Sequence, residues 1–326
     1  MSIRAEPALP ALPMYKLGAM ECASSCIMTY LHIAGRDPGR FLLDYWNLNC
    51  VSGLLVSSRN VRLNQALQDL YGIRLELARG CPDSLRTLLR RGHSALVQAR
   101  ASRLSFFPPQ MLGHEESGFE HFVLAVGSDE RDGSIRVVDP IAGFAGTMTA
   151  DQLREASPVS PELAYYVLAE EPDRTSGPTR EEMFAYAAGR NYDRYVRARH
   201  SSGICAYERF EEALERSAEA DRASRDGWVY RNNVTLSSIV RTRSAVWNSF
   251  AELGLLDGDT VRTGTERVRE IANGWTSLNL LLIKYKNNAG ERSRLEAVRR
   301  KLRDLRDAET EFLAWMNRLG CAYGAG

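Results

Sequence analysis

The spacing of apolar residues predicts that helices come first in the chain and strands follow. Near the start, Ile27 and Leu31 recur at helical spacing, which predicts a buried helix from Cys22 to Ala34. Gly35 follows and would end it. Residues 73–77 alternate between apolar and polar side chains, as a half-buried strand does. The other elements predicted for this part are helices at 40–48, 60–71, 83–91 and 149–156 and strands at 94–99, 119–126, 134–138 and 163–169.

A polar segment with proline and glycine separates this part from a second one. Residues 170–178 contain helix and strand breakers and few apolar side chains, which is typical of a domain boundary. Beyond this segment the pattern is helical throughout, with helices predicted at 180–199, 206–223, 228–253, 259–287 and 290–319. We therefore predict an α+β fold, with a first domain at 1–172 and an all-α helical bundle domain at 179–326.

Composition and charge argue against some classes of function. The 326 residues include 42 basic and 41 acidic side chains, so the net charge of +1 does not indicate nucleic acid as the main partner. The first residues lack the basic start and apolar core of a signal peptide. No apolar run approaches the roughly 18 residues of a membrane span. We therefore expect a cytoplasmic protein that does not associate with a membrane.

The six cysteines lack the paired spacing of a zinc site. We therefore expect no metal, and no cofactor bound by the protein itself. Without an export signal the cysteines are predicted to be thiols. Free cysteine is among the most buried residue types, so simple packing is the expected role of Cys26, Cys50, Cys81, Cys205 and Cys321.

The remaining thiol, Cys22, stands where a nucleophile would be activated. It lies at the predicted start of a helix, where unpaired backbone N–H groups and the helix dipole favour a thiolate. His121 opens one predicted strand and Asp139 closes the next. A cysteine nucleophile needs a base to hold its proton and a group to orient that base. These three residues are the predicted catalytic set, and the Cys22 N–H is the first expected oxyanion donor.

Each of these residues alone has an ordinary structural explanation. A cysteine in an apolar helix is mostly a packing residue, and an Asp before proline commonly caps a turn. Their joint occurrence in this order is what indicates catalysis. His114, on the loop before His121, is a weaker candidate for contact with a substrate, and residues 105–117 form a candidate lid.

The segments around these residues resemble two groups of proteins. Glu21-Cys22-Ala-Ser-Ser-Cys26 resembles the Asp-Cys-Gly-x-x-Cys segment of bacteriocin-processing peptidase domains, which cleave leader peptides. Residues 121–127 and 137–140 resemble the His and Asp motifs of those domains. In layout, residues 14 to about 170 followed by a helical part are similar to the butirosin-biosynthesis acyltransferase family.

This resemblance implies a papain-like, cysteine-protease-type fold for the first domain, with Cys22 as nucleophile, His121 as base and Asp139 as its orienting partner. It also implies an acyltransferase of natural-product biosynthesis. Such an enzyme moves an acyl group from a phosphopantetheine thioester on an acyl or peptidyl carrier protein to a small amine, which forms an amide. Two positions depart from the peptidase pattern. Ala23 replaces the glycine after the cysteine, and Lys16 replaces the glutamine six positions before it, so the second oxyanion donor is left open.

Other interpretations of the same residues stay open. With water in place of the amine, the triad would serve a cysteine hydrolase, such as a peptidase, an amidase or a thioesterase. Alternatively, the first domain would be a non-catalytic papain-like binding module. The basic runs Arg86–Arg91 and Arg292–Arg306 would dock an acidic carrier protein or simply form solvated helix faces. The amphipathic helices also leave a homodimer open.

Overall fold

A computed structural model describes residues 13–18, 20–57, 63–109, 119–170, 178–287 and 292–324. In chain order the elements are α1 (Cys22–Ile33), α2 (Gly39–Leu43), β1 (Asn49–Val51), β2 (Leu54–Val56), α3 (Leu63–Tyr71), β3 (Ile73–Gly80), α4 (Pro82–Arg90), β4 (Ser94–Arg100), β5 (Glu120–Ser128), β6 (Ile135–Asp139), β7 (Phe144–Met148), α5 (Ala150–Ala156), β8 (Leu163–Glu170), α6 (Arg180–Val196), α7 (Cys205–Glu219), α8 (Arg222–Glu252), α9 (Gly258–Asn287) and α10 (Arg292–Gly324).

The described residues form two compact units. The first comprises residues 13–16, 21–38, 63–109 and 119–170. The second comprises residues 17–18, 20, 39–57, 178–287 and 292–324. The short segments 17–18 and 39–57, which the sequence analysis placed in the first domain, pack with the helical unit. The predicted boundary at 172–179 falls largely on residues 171–177, which lie outside the described residues.

The first unit is built on an antiparallel sheet of six strands in the order β3-β8-β4-β5-β6-β7. In this sheet Ala99 of β4 faces His121 of β5, and Leu124 of β5 faces Val138 of β6. Helix α1 packs on β5, β4 and β6, and eight of its residues in succession, Ser24 to Leu31, are buried. The mixed α+β prediction is therefore confirmed.

Most strands of this sheet follow the predicted pattern, but β7 was missed. Its sequence, Phe-Ala-Gly-Thr-Met, does not alternate clearly between apolar and polar residues. Among the residues that the structure describes, the strand pairs with β6 alone. The turn before it includes Gly143 at φ +70°, a conformation that glycine adopts without strain. As an edge strand it depends on pairing rather than on its own periodicity.

The second unit contains the five predicted C-terminal helices, α6 to α10, which confirms that the C-terminal region is all-helical. It also contains the hairpin β1–β2, which the sequence analysis did not predict. The two turn residues, Ser52 and Gly53, both have positive φ angles of 51° and 77°. This backbone twist suits a two-residue hairpin, although serine at the first turn position is a weak sequence signal.

Helix α2 is shorter than the predicted helix at 40–48 because side chains of α6 bind the backbone groups and the side chain that follow it. Asn191 of α6 donates its Nδ2 to the Leu43 carbonyl at 2.6 Å and accepts from the Trp46 N–H at 3.2 Å. The Asp44 carboxylate binds Arg194 of the same helix. These contacts replace the intrahelical bonds beyond Leu43, so tertiary packing overrides local helix propensity.

Within the described ranges, no helix combines the length and the apolar composition that crossing a membrane requires.

Candidate active site

Cys22 is the first residue of α1 and is partly exposed, directly before the buried stretch Ser24 to Leu31 of the same helix. Its side chain is partly exposed and packs against the apolar cluster of the first unit. Glu21 holds the N-cap position, and its carbonyl accepts the Ser25 N–H at 2.8 Å. The burial of α1 therefore fixes the position of Cys22, which is itself only partly buried.

His121 lies near the start of β5 and is completely buried, with 0% of its surface exposed. The rings of Phe107 and Phe119 meet the imidazole edge-on, with centroids 4.9 Å and 6.1 Å away. Such edge-to-face contacts restrict rotation of the ring. The strand sets the position of His121, and these two aromatic side chains set its plane.

Asp139 is the last residue of β6 and is also 0% exposed. Its Oδ2 lies 2.8 Å from His121 Nε2. Its other oxygen, Oδ1, accepts the backbone N–H groups of Ile141 at 2.9 Å and Ala142 at 3.1 Å. Both carboxylate oxygens are therefore engaged, and the turn after β6 holds the carboxylate in the orientation that suits the imidazole.

Nε2 of His121 faces Asp139. Nδ1 is therefore the ring nitrogen that is left to interact with Cys22. Among the described residues, this buried Nδ1 has no hydrogen-bond partner, and the Cys22 side chain acts on the ring electrostatically. Burial lowers the pKa of His121. The Asp139 hydrogen bond, the Cys22 side chain and the negative charges of both groups outweigh burial and raise the pKa from 6.5 to about 9.

This raised pKa predicts the pH dependence of any reaction that needs a charged imidazole. The ring stays protonated at neutral pH and loses its proton as the pH rises through about 9. The stability that this pairing contributes is complete below pH 6.5 and is lost between pH 6.5 and about 9. We expect any reaction of Cys22 that takes a proton from this ring to slow above pH 9, as a rate profile at saturating enzyme would show. A decline centred near pH 6.5 would contradict the raised pKa.

Cys26 does not share the reactive environment of Cys22. It is fully buried, and its Sγ lies 3.5 Å from the Phe122 carbonyl, to which it donates. Burial raises the pKa of Cys26 well above its ordinary value, and the charges of Cys22 and Asp139 add to this effect. A buried thiol that resists ionisation is a poor nucleophile, in agreement with the packing role predicted for Cys26.

The remaining predicted features are the possible oxyanion donor Lys16, the possible substrate contact His114, the lid and the two basic runs. Lys16, which occupies the position expected for an oxyanion donor, donates its Nζ to the Ile141 carbonyl at 2.7 Å. His114 and most of the predicted lid lie outside the described residues, at 110–118. The two basic runs are partly neutralised, since Arg86 pairs with Asp83 and Arg299 pairs with Glu215.

Sequence reasoning missed the groups that hold His121 and Asp139 in place. Phe107 and Phe119 border the loop before β5, and nothing in their spacing distinguishes them from core residues. The two backbone N–H groups that bind Asp139 have a weak signal in the sequence, because Asp often accepts from N–H groups two or three residues ahead in a turn.

Within the described segments, no group of three or more His, Cys, Asp or Glu side chains could hold a metal ion. Comparison with protein-family models and with curated proteins finds no match for this chain.

Proposed function

We propose that this chain is a cysteine-dependent N-acyltransferase whose first unit is papain-like. In this proposal an acyl group passes from a carrier-protein thioester through Cys22 to an amine. The observation that carries it is the arrangement around His121. Its Nε2 lies 2.8 Å from Asp139, and its other side interacts with a partly exposed cysteine at a helix start. The transfer to an amine rests on the sequence resemblance.

The first step is acylation of the cysteine. Cys22 Sγ attacks the carbonyl carbon of the thioester, and a carbon–sulfur bond to Cys22 forms. The bond to the phosphopantetheine sulfur breaks, and protonated His121 gives its Nδ1 proton to the departing thiolate. The high pKa of His121 favours the charged ring from which this proton comes. The Cys22 backbone N–H, which heads α1, would donate to the oxyanion.

The second step is transfer to the amine. The amine nitrogen attacks the Cys22 thioester and forms the carbon–nitrogen bond of the amide, while the bond to Sγ breaks. The proton lost by the amine passes to His121 Nδ1, which the first step left neutral. This returns the charged ring and the free thiolate, so protons and bonds balance over the cycle.

The burial of His121 and Asp139 supports catalysis over a purely structural role. Placing a charged imidazole and a carboxylate at 0% exposure costs desolvation free energy, which apolar residues of similar size would avoid. Strongly shifted pKa values beside an accessible nucleophile are typical of active sites. A non-catalytic module would gain nothing from a base aimed at a partly exposed thiol.

The experiment is intact-protein mass spectrometry with an acyl-pantetheine thioester. We expect the wild type to gain one acyl mass, mapped to the Cys22 peptide, and Cys22→Ala to gain none. The matched control is Cys81→Ser, which removes an exposed thiol whose pKa is lowered mainly by Ser84. This control variant should acylate like the wild type.

A panel of primary amines and a water-only reaction then separate the outcomes. Amide formation that depends on Cys22 supports the acyltransferase. Release of the free acid at the same rate with and without amines would replace it with a hydrolase. If the wild type forms neither an acyl adduct nor a product, the catalytic proposal is wrong.

A further inference from the structure

Lys16 reaches the turn that holds Asp139 from a distant part of the chain. Its Nζ donates to the Ile141 carbonyl at 2.7 Å, across a separation of 125 residues. Both residues belong to the first unit. The Ile141 side chain is buried, so the carbonyl that Lys16 binds is part of a turn anchored in the core. An exposed lysine side chain thus contacts the backbone two residues after the orienting carboxylate.

The bond from Lys16 ends on the same peptide group that binds Asp139. The carbonyl of Ile141 and the N–H of Ala142 belong to one planar peptide unit. Lys16 binds the carbonyl end, and the N–H end donates to Asp139 Oδ1 at 3.1 Å. A cation on the carbonyl polarises the peptide and strengthens its N–H as a donor, while planarity transmits any rotation from one end to the other.

We infer that Lys16 is a positioning residue, which holds this peptide so that Asp139 presents Oδ2 to His121. The inference rests on the proposed function, because it assigns Lys16 a part in the same site. This role differs from the one that the resemblance to the peptidase domains implies for position 16, which is direct donation of a hydrogen bond to the oxyanion. In the structure the ammonium group binds a protein carbonyl, and its influence on Cys22 passes through Asp139 and His121.

Two reactions of Cys22 distinguish these roles. Attack on a thioester creates an oxyanion, whereas alkylation by iodoacetamide displaces iodide directly and creates none. An oxyanion donor would therefore affect only the first reaction. A residue that positions Asp139 affects both, because the charged His121 that stabilises the thiolate depends on Asp139.

The test compares Lys16→Met and Lys16→Arg with the wild type, near pH 7, by mass spectrometry of the Cys22 peptide. We expect Lys16→Met to slow both acylation and alkylation by about tenfold, the scale of one lost hydrogen bond from a charged group. Lys16→Arg keeps a donor and should restore most of both rates. Arg36→Met removes a cation of the same unit that binds Glu170 at 3.5 Å, and should leave both rates unchanged.

A double variant gives an independent measure. In an Asp139→Ala background, Lys16→Met should cause no further loss, because the two residues act in one chain of contacts. The inference would be overturned if Lys16→Met were alkylated at the wild-type rate. Additive losses of rate in the double variant would also overturn it. The alkylation measurements need no acyl substrate, so they remain decisive even if the wild type shows no acyl transfer.

Discussion

Replacing Asp139 by Asn is expected to slow acylation of Cys22 by about a thousandfold or more, as the corresponding change does in serine triads. The two oxygens of the Asp139 carboxylate have different partners. Oδ1 accepts two backbone N–H groups, and Oδ2 accepts from His121 Nε2. An amide has only one oxygen, and two backbone donors outweigh one ring donor. Its NH₂ group would then face Nε2, which would leave that nitrogen without a proton and the ring neutral. The charged ring that pairs with the Cys22 thiolate and protonates the departing thiolate would be lost.

Single-turnover acylation by an acyl-pantetheine thioester measures this effect. Asp132→Asn is the matched control, because Asp132 also accepts a backbone N–H in a turn of the same sheet, from Ser134 at 2.8 Å, but contacts no part of the triad. It should react at the wild-type rate. A loss of less than about tenfold in Asp139→Asn would show that the carboxylate does not hold His121 in its charged form.

Replacing Glu309 by Ala is expected to lower the free energy of unfolding of the helical unit by about 3–5 kcal/mol. Glu309 and Arg243 are both fully buried and form a two-bond ion pair, at 2.6 Å and 3.0 Å. Glu309 also accepts from Trp275 Nε1 at 2.8 Å, and Arg243 donates to the Asn47 carbonyl at 2.8 Å. Loss of the carboxylate would leave a buried guanidinium without its counterion.

Urea unfolding followed by tryptophan fluorescence isolates this effect, because all five tryptophans belong to the second unit. Glu311→Ala, an exposed carboxylate two residues farther along α10, is the control and should change the stability by less than about 0.5 kcal/mol. The double variant Arg243→Met with Glu309→Met should recover much of the loss, since it leaves no unpaired charge. A cost for Glu309→Ala below about 1 kcal/mol would contradict the ion pair.

Most of the regular elements could be predicted because their periodicity is local. The period of α1 and of the five C-terminal helices depends only on neighbours three or four residues away, and the β5–β6 hairpin depends on alternation and one turn. The elements that could not be predicted depend on distant partners. Strand β7 needs β6, and α2 ends where Asn191 binds the Leu43 carbonyl.

The candidate site divides in the same way. The order of Cys22, His121 and Asp139, each at the end of a predicted element, could be seen in the chain. Which nitrogen of His121 faces Asp139 could not be predicted from the chain. It depends on the orientation of the Asp139 carboxylate, whose Oδ1 is held by the turn after β6. The partner of Lys16 was also unpredictable, since 125 residues separate it from Ile141.

The amino-acid sequence by itself therefore determined the classes of the elements, the helical character of the second half and the chemistry available to the site. The tertiary structure alone decided how those groups face one another. The physical reason is the separation along the chain over which each kind of interaction acts. Periodicity and capping act between neighbours in the chain, whereas the orientation of an imidazole and the charge that it holds depend on burial and hydrogen bonds between residues far apart in sequence.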